Sequence, residues 1–251
     1  HSLSSGVCSL SPGDVRLAVT SEFVISGRGE VTSASFFRSR IRSDARLDYD
    51  QLDRIFAGRE KAPAPASEPL TLARQVAASL ADRRKGSALE VSSAEPVFEF
   101  DEQGNLTRAV AERQTEAHRL IEQLMVLTNE QVAELTSSRS IPSIYRVHEM
   151  PDPDRVERML GQLASLGLPA PPVPDGMGPT TAGELAVEAS KSVAREAKRR
   201  GHGADAYSSL ILRSLKPARY LEKNLGHAGL GSEAYCHFTS PIRRYPDLLV
   251  H

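Results

Sequence analysis

Two adjacent guanidinium groups, Arg243 and Arg244, stand immediately before Tyr245, Pro246 and Asp247. Proline has a fixed φ and no N–H, so Pro246 belongs at the start of a helix rather than inside one, with Asp247 next. Both arginines then crowd the positive end of that helix, where each cation is unfavourable by roughly 0.3–1 kcal/mol. Asp247 can offset one of them. The other is explained either by a bound phosphate at the helix start or by an internal carboxylate pair, and spacing alone leaves the two open.

Two further stretches carry residue types suited to chemistry. Tyr49 lies among Asp48, Asp50 and Asp53. Three carboxylates so close suggest a metal site, but acidic residues at a helix start ordinarily cap it, and capping is the reading adopted here. The Tyr49 ring is suited to stacking on a base or to half-burial in a core. Glu122 lies seven residues before Asn129 and on the same helical side as Met125, a polar stripe beside an apolar face. That pattern fits a site-facing surface and equally the wet side of an amphipathic helix. No pair of histidines has ligand spacing, so His118, His148, His227 and His237 read as structural.

The elements that must hold these residues are legible from periodicity. Strands over 15–25 and 31–37 flank the Gly27-Arg28-Gly29 break as a hairpin. A short helix begins at Asp48 and closes at Gly58, and a Pro/Ala-rich loop occupies 61–69. A helix over 70–85 carries Leu72, Val76 and Leu80 at helical spacing, and a second hairpin runs from Val97 to Ala111. The longest helix, 115–135, buries Ala117, Leu120, Ile121, Leu124, Leu127 and Leu135. Helices follow over 152–166, 184–200 and 204–215, with a Pro/Gly-rich loop at 168–182. Strands and helices mix without a βαβ rhythm or a repeat, which predicts an α+β fold with a mixed sheet packed by helices.

Composition excludes several classes. With 40% hydrophobic and 25% charged residues over 251 positions, the chain is neither collagenous, coiled-coil nor wholly disordered. No apolar run approaches the ~18 residues of a membrane span, and no secretory leader opens it, so a soluble, cytoplasmic protein with no membrane partner is expected. Two cysteines, Cys8 and Cys236, make neither a disulfide framework nor a zinc site. The net charge of -1 hides an uneven distribution: residues 1–60 balance, 61–190 carry -7 and 191–251 carry +6. A basic last third can face a polyanion; the bland alternative is a solvated helix face.

The run His237-Phe-Thr-Ser-Pro-Ile-Arg-Arg-Tyr-Pro-Asp-Leu-Leu-Val-His251 resembles the signature of the ribonuclease II/ribonuclease R (RNB) exoribonuclease family. Ordered blocks agree with it: Cys8-Ser9-Leu10 through Arg16, Ala45-Arg-Leu-Asp-Tyr49, Ala117-His-Arg-Leu-Ile-Glu-Gln-Leu-Met125 with Asn129, and Ile144-Tyr-Arg-Val-His148 before Pro151. The resemblance covers essentially the whole chain and implies that 1–251 is part of an RNB catalytic domain, incomplete at its N-terminal side. It implies processive 3′→5′ hydrolysis of single-stranded RNA to nucleoside 5′-monophosphates, with two Mg2+ ions at the scissile phosphate. By the same resemblance Arg243 holds the phosphate, Arg244 and Tyr245 are its RNA-binding neighbours, Tyr49 lines the site and Glu122 is a site carboxylate.

Three departures qualify this. The family's metal-binding aspartates have no counterpart here, so no residue of this chain is assigned as a metal ligand. Gln123 stands where a second glutamate is often found, and Val91 lies near a position where the family often has a base-gripping aromatic. Cold-shock and S1 RNA-binding domains are expected to flank this region in an intact parent. The expectation is therefore an exoribonuclease segment that is inactive alone. Its rivals are a catalytically inactive RNB-like RNA-binding module and a purely structural domain.

Overall fold

A computed structural model of the chain describes residues 2–91, 95–112 and 114–251. The backbone divides into two units. The first comprises His1–Lys85, Gln114–Ile144 and Cys236–His251, and the second Gly86–Arg113 and Tyr145–Tyr235.

The first unit is built on a long helix. It opens with strands β1 (Val15–Ile25) and β2 (Val31–Arg42), paired antiparallel with Val15 opposite Arg42 and Val19 opposite Arg38. The connection is tight: Gly29 donates its N–H to Ser26 and has φ +77°. A Cβ there would lie 2.7 Å from the Ser79 carbonyl oxygen, so only glycine lets the turn approach the next helix so closely. Helices α1 (Tyr49–Phe56), α2 (Ser67–Arg84) and α3 (Glu116–Ser138) follow, and a short helix, labelled α7 in chain order, spans Tyr245–Val250.

Burial departs from the simple stripes read in sequence. In α2 the buried positions are Ala77 and Leu80, while Leu72 is exposed. In α3 Ala117, Leu120 and Leu127 are buried as periodicity requires, but Val126, Asn129, Val132, Ala133 and Thr136 are buried too, and Leu135 only partly. At Asn129 the reason is that residues 236–239 bond to it, as described below.

The second unit contains β3 (Glu95–Phe100) and β4 (Leu106–Glu112), β5 (Tyr145–Val147) and β6 (Arg219–Leu221), and helices α4 (Pro153–Ser165), α5 (Pro179–Arg200) and α6 (Ala204–Ser214). Val156, Leu160, Leu163, Ala186, Val193 and Ile211 form the centre of its core. Asp152 caps α4 by accepting from the N–H groups of Asp154 and Arg155. Pro179 occupies the first turn of α5, where a missing N–H costs nothing, so this helix starts five residues earlier than its apolar spacing suggests. The Pro/Ala stretch likewise ends early: a 3-10 turn over Ala64–Ala66 runs into α2.

The α+β class holds, with helices and small sheets mixed along the chain. Among the described residues the strands do not join in one mixed sheet. They form three separate two-stranded antiparallel ladders. Two of these are hairpins closed by short turns. The third is only three residue pairs long and has no periodicity that sequence could reveal. No helix among the described residues is long and apolar enough to cross a membrane.

Candidate nucleic-acid interface

The side chains that sequence singles out are organised by one stripe of α3. His118, Glu122, Met125 and Asn129 recur at helical spacing, which places them along one side of the helix over roughly 16 Å of rise.

At the N-terminal end of the stripe, Tyr49 stacks on His118 with ring centroids 3.9 Å apart and planes inclined by 23°. Asp48 caps α1 by accepting the Gln51 N–H at 2.7 Å, which fixes Tyr49 as the first helical residue. Asp53 Oδ1 accepts the Ala117 N–H at 3.0 Å, so α1 also satisfies one of the otherwise unpaired donors opening α3. The His118 ring is held by Thr115 Oγ1, 2.7 Å from its Nδ1. The acidic cluster therefore caps helices, as its spacing suggests. Tyr49 remains 43% exposed, a ledge with one face covered by His118 and not a core residue.

Glu122, one turn beyond His118, is exposed and has no hydrogen-bond or ion partner among the described residues. Gln123 points elsewhere. Its Oε1 accepts from Arg84 Nη1, and the same guanidinium pairs with Glu130 at 2.5 Å, tying α2 to α3.

At the far end, Asn129 is 1% exposed and shapes the segment that leads to the arginines. Its Oδ1 accepts from the N–H groups of Phe238 (3.0 Å) and Thr239 (3.3 Å), and its carbonyl oxygen accepts from the Cys236 thiol at 3.4 Å. The next N–H, on Ser240, donates to Oδ1 of the fully buried Asp247 at 2.8 Å. Three consecutive N–H groups are thus held by two buried side chains. Burial first, and Asp247 nearby second, push the Cys236 thiol up to about 12, so it stays protonated at neutral pH.

Asp247 also decides the fate of the two arginines. Arg244 Nη2 donates to its Oδ1 at 2.7 Å, and the side chains are 22% and 0% exposed. Arg243 and Arg244 both donate their N–H groups to the Ser240 carbonyl, a tight turn that leaves the Arg243 side chain outward. Arg243 is exposed and has no carboxylate partner among the described residues. Tyr245 beside it is 70% exposed. Of the two readings that spacing left open, the internal carboxylate is Asp247 and it goes to Arg244. Arg244 takes the carboxylate and is a buttress; Arg243 is free for an anion. No hydrogen bond, ion pair or ring contact among the described residues joins Arg243 to Tyr49 or Glu122; Tyr49 and the turn before Arg243 are each held on α3.

Sequence reasoning noticed Asn129 only as a polar neighbour of Glu122, and His118 only as a structural histidine. The available signals were an amide inside an apolar stretch and a threonine three residues before a histidine.

The residues present do not fit a two-metal centre. Among the described residues no three His, Cys, Asp or Glu side chains are grouped to hold an ion. Asp48, Asp53 and Asp247 are engaged as above, and Glu122 is alone.

A concavity of about 700 Å³ lies wholly within the second unit and is lined by Leu89, Met150, Val187 and Leu225 among others. Its lining carries Glu184, Glu188 and Glu233 against one lysine, Lys191, a net charge of the wrong sign for phosphate. His148 is built into its wall. Burial lowers its pKa, partly offset by a hydrogen bond to the Lys216 carbonyl, and its neutral Nδ1 accepts the Gly229 N–H at 3.1 Å.

The model of the RNB domain family matches residues 1–251. The chain belongs to the RNB domain family. Ribonuclease R of Thermotoga maritima is 34% identical over 253 residues, covering 99% of this chain and 34% of that protein. Ribonuclease R of Escherichia coli is 34% identical over 255 residues, covering 99% and 30%. The chain therefore spans about a third of the length of these curated relatives. Among solved structures, Mycoplasma genitalium RNase R in complex with ribose methylated single-stranded RNA superposes with TM-score 0.87 at 26% identity, over 99% of this chain and 38% of that one. Yeast Ssd1, described as a pseudonuclease, shares the fold with TM-score 0.68 at 20% identity, over 97% and 29%.

Proposed function

We propose that this RNB chain is part of a 3′→5′ exoribonuclease that hydrolyses single-stranded RNA to nucleoside 5′-monophosphates. The observation that carries the reading is the outward, unpaired Arg243, set on a turn that Asn129 and Asp247 hold from beneath. A guanidinium fork meets a phosphate with two parallel N–H···O bonds, each charge-assisted. Tyr245 and the His118-backed Tyr49 offer exposed aromatic faces on which bases can stack. Glu122 adds a solvated carboxylate on the same side of α3, suited to orienting a ribose or a water. Arg244 contributes indirectly, by holding Asp247 and hence the turn.

Two-metal hydrolysis with Mg2+ asks for a carboxylate cluster that the described residues lack. The metal ligands, like the flanking cold-shock and S1 domains, are assigned to other parts of a longer parent protein, and the chain alone is expected to bind RNA without cleaving it. A cytoplasmic location belongs to the same reading, supported by two free cysteines, one of them exposed. The second reading, a catalytically inactive RNB-like RNA-binding module, is favoured by the same absence of a carboxylate group among the described residues.

Fluorescence anisotropy with a labelled oligouridylate tests the assignment. Arg243→Ala should weaken binding by about tenfold or more, the worth of one charge-assisted contact, whereas Lys198→Ala should have little effect. Equal effects would remove Arg243 from the site. Release of mononucleotides by the purified chain with Mg2+ would overturn the assignment of the metal ligands to another segment.

A further inference from the structure

One face of the β1–β2 hairpin carries a second cationic feature, separate from the Arg243 turn. Arg38, Arg40 and Arg42 alternate along β2, so they project from the same face, about 7 Å apart in succession. Register places them opposite Val19, Leu17 and Val15 on β1. All six side chains are exposed, Leu17 at 84%. None of the three arginines has a hydrogen-bond or ion partner among the described residues. The nearby acids do not pair with them: Asp14 pairs with Arg16 at 2.9 Å, and Glu22 occupies the opposite face opposite Ser35. Asp44, two residues beyond Arg42 and past the end of β2, forms no ion pair with it among the described residues.

Three unpaired guanidinium groups at a regular two-residue repeat form a line of charge, and a line of charge is complementary to a linear polyanion. The strip is also oriented. Arg42 is the member nearest in the chain to Tyr49, seven residues on, a distance that extended backbone covers in at most about 25 Å. A globular acidic protein offers no reason for such a repeat, whereas successive phosphates of an extended strand do. The neighbouring Val15, Leu17 and Val19 give sugars and base edges an apolar strip without sequence preference.

We propose that Arg38, Arg40 and Arg42 form a track for the backbone of single-stranded RNA upstream of the nucleotides at Arg243 and Tyr49. The inference rests on the RNA reading of this chain and adds a binding surface to it. The track acts on length and salt dependence: each phosphate neutralised on single-stranded nucleic acid steepens the dependence of log K on log salt by about 0.7, so three contacts contribute about 2.

The test compares binding of oligouridylates of about 20 and about 4 nucleotides over a salt series. The proteins are the chain, an Arg38→Ala/Arg40→Ala/Arg42→Ala variant and Arg243→Ala, with circular dichroism confirming that each is folded. The triple variant should lose about 2 units of slope on the long RNA and bind the short RNA as the parent does, while Arg243→Ala weakens both. An unchanged slope on the long RNA, with the Arg243 effect intact, overturns the track and leaves the proposed function standing. A lost slope with no Arg243 effect keeps the track and overturns the site. Failure of the parent to bind either RNA overturns both. Self-association of the parent that the triple variant abolishes, with RNA binding unchanged, assigns the strip to protein contact and likewise overturns the track.

Discussion

The basic end of α5 and the turn at Arg243 are alike in the sign of their charge and opposite in physical state. In α5, Glu196 pairs with both Arg199 and Arg200, Arg195 reaches Ser192, and Lys191 reaches the Gly86 carbonyl. Arg199 and Arg200 sit in the last turn, at the negative end of the helix, and Glu196 occupies both there. Lys198, between them and Arg195, is exposed without a hydrogen-bond or ion partner among the described residues. At the turn, a single buried carboxylate takes Arg244 and leaves Arg243 without one. Counting charges marks the whole last third as a polyanion face; folding leaves only some of that charge available. Conversely, residues 1–60 are neutral in sum yet present three unpaired arginines on one strand face. Availability, not abundance, distinguishes a binding cation from a structural one.

The largest expected effect in this contrast lies at Asp247. Asp247→Ala strands Arg244, whose guanidinium is largely buried, and removes the acceptor for the Ser240 N–H. Breaking a buried pair from one side costs about 3–5 kcal/mol, read as a lower urea midpoint. Arg243→Ala, which touches no partner, should change stability by less than about 0.5 kcal/mol. Similar midpoints for the two variants would mean that the adjacent arginines are equivalent and that the contrast is false.

Asn129→Ala comes next. It leaves two N–H groups, on Phe238 and Thr239, without their acceptor, at a cost of about 2 kcal/mol. The turn carrying Arg243 then loses its anchor on α3, so RNA affinity should fall along with stability. In Arg243→Ala only affinity falls. A variant at Asn129 that is destabilised but binds RNA normally would show that the turn holds its shape through Asp247 alone.

These residues also mark how far the sequence could be read. The helices were legible because their signals are local: Asp48 and Asp152 as caps, Pro153 at a helix start, and apolar spacing through α3. The division of labour between Arg243 and Arg244 was legible only as a pair of alternatives, since the choice depends on a carboxylate three residues on whose burial no spacing reveals. Asn129 and His118 were harder still. Their roles depend on partners 109 and 69 residues away, the Phe238 N–H and the Tyr49 ring. The β5–β6 ladder failed for the same reason, with three pairs joining segments far apart in the chain. The arginine strip on β2 was within reach of the alternation rule, but a regional charge balance of zero concealed it.

The smallest effect is expected at Glu196. Its two guanidinium partners hold its carboxyl down at about 2, so the pair contributes stability above the usual glutamate range and loses it as pH falls toward 2. Glu196→Gln should abolish that part of the acid dependence. Glu196 is only 12% exposed, but its partner Arg199 is 72% exposed, so solvent screens the pair and the urea midpoint at neutral pH should move less than in either variant above. The same substitution removes the carboxylate from Arg199 and Arg200 while leaving both in place, Arg200 still held by the Gly167 carbonyl. If the α5 cluster is a capped helix end, RNA affinity at physiological salt should stay within about twofold of the parent, because salt screens exposed charges that make no direct phosphate contact. A tenfold gain would mean that Glu196 masks a working phosphate site. The line between the occupied cations of α5 and the free cation of the Arg243 turn would then have to be drawn by regulation of pairing rather than by fold.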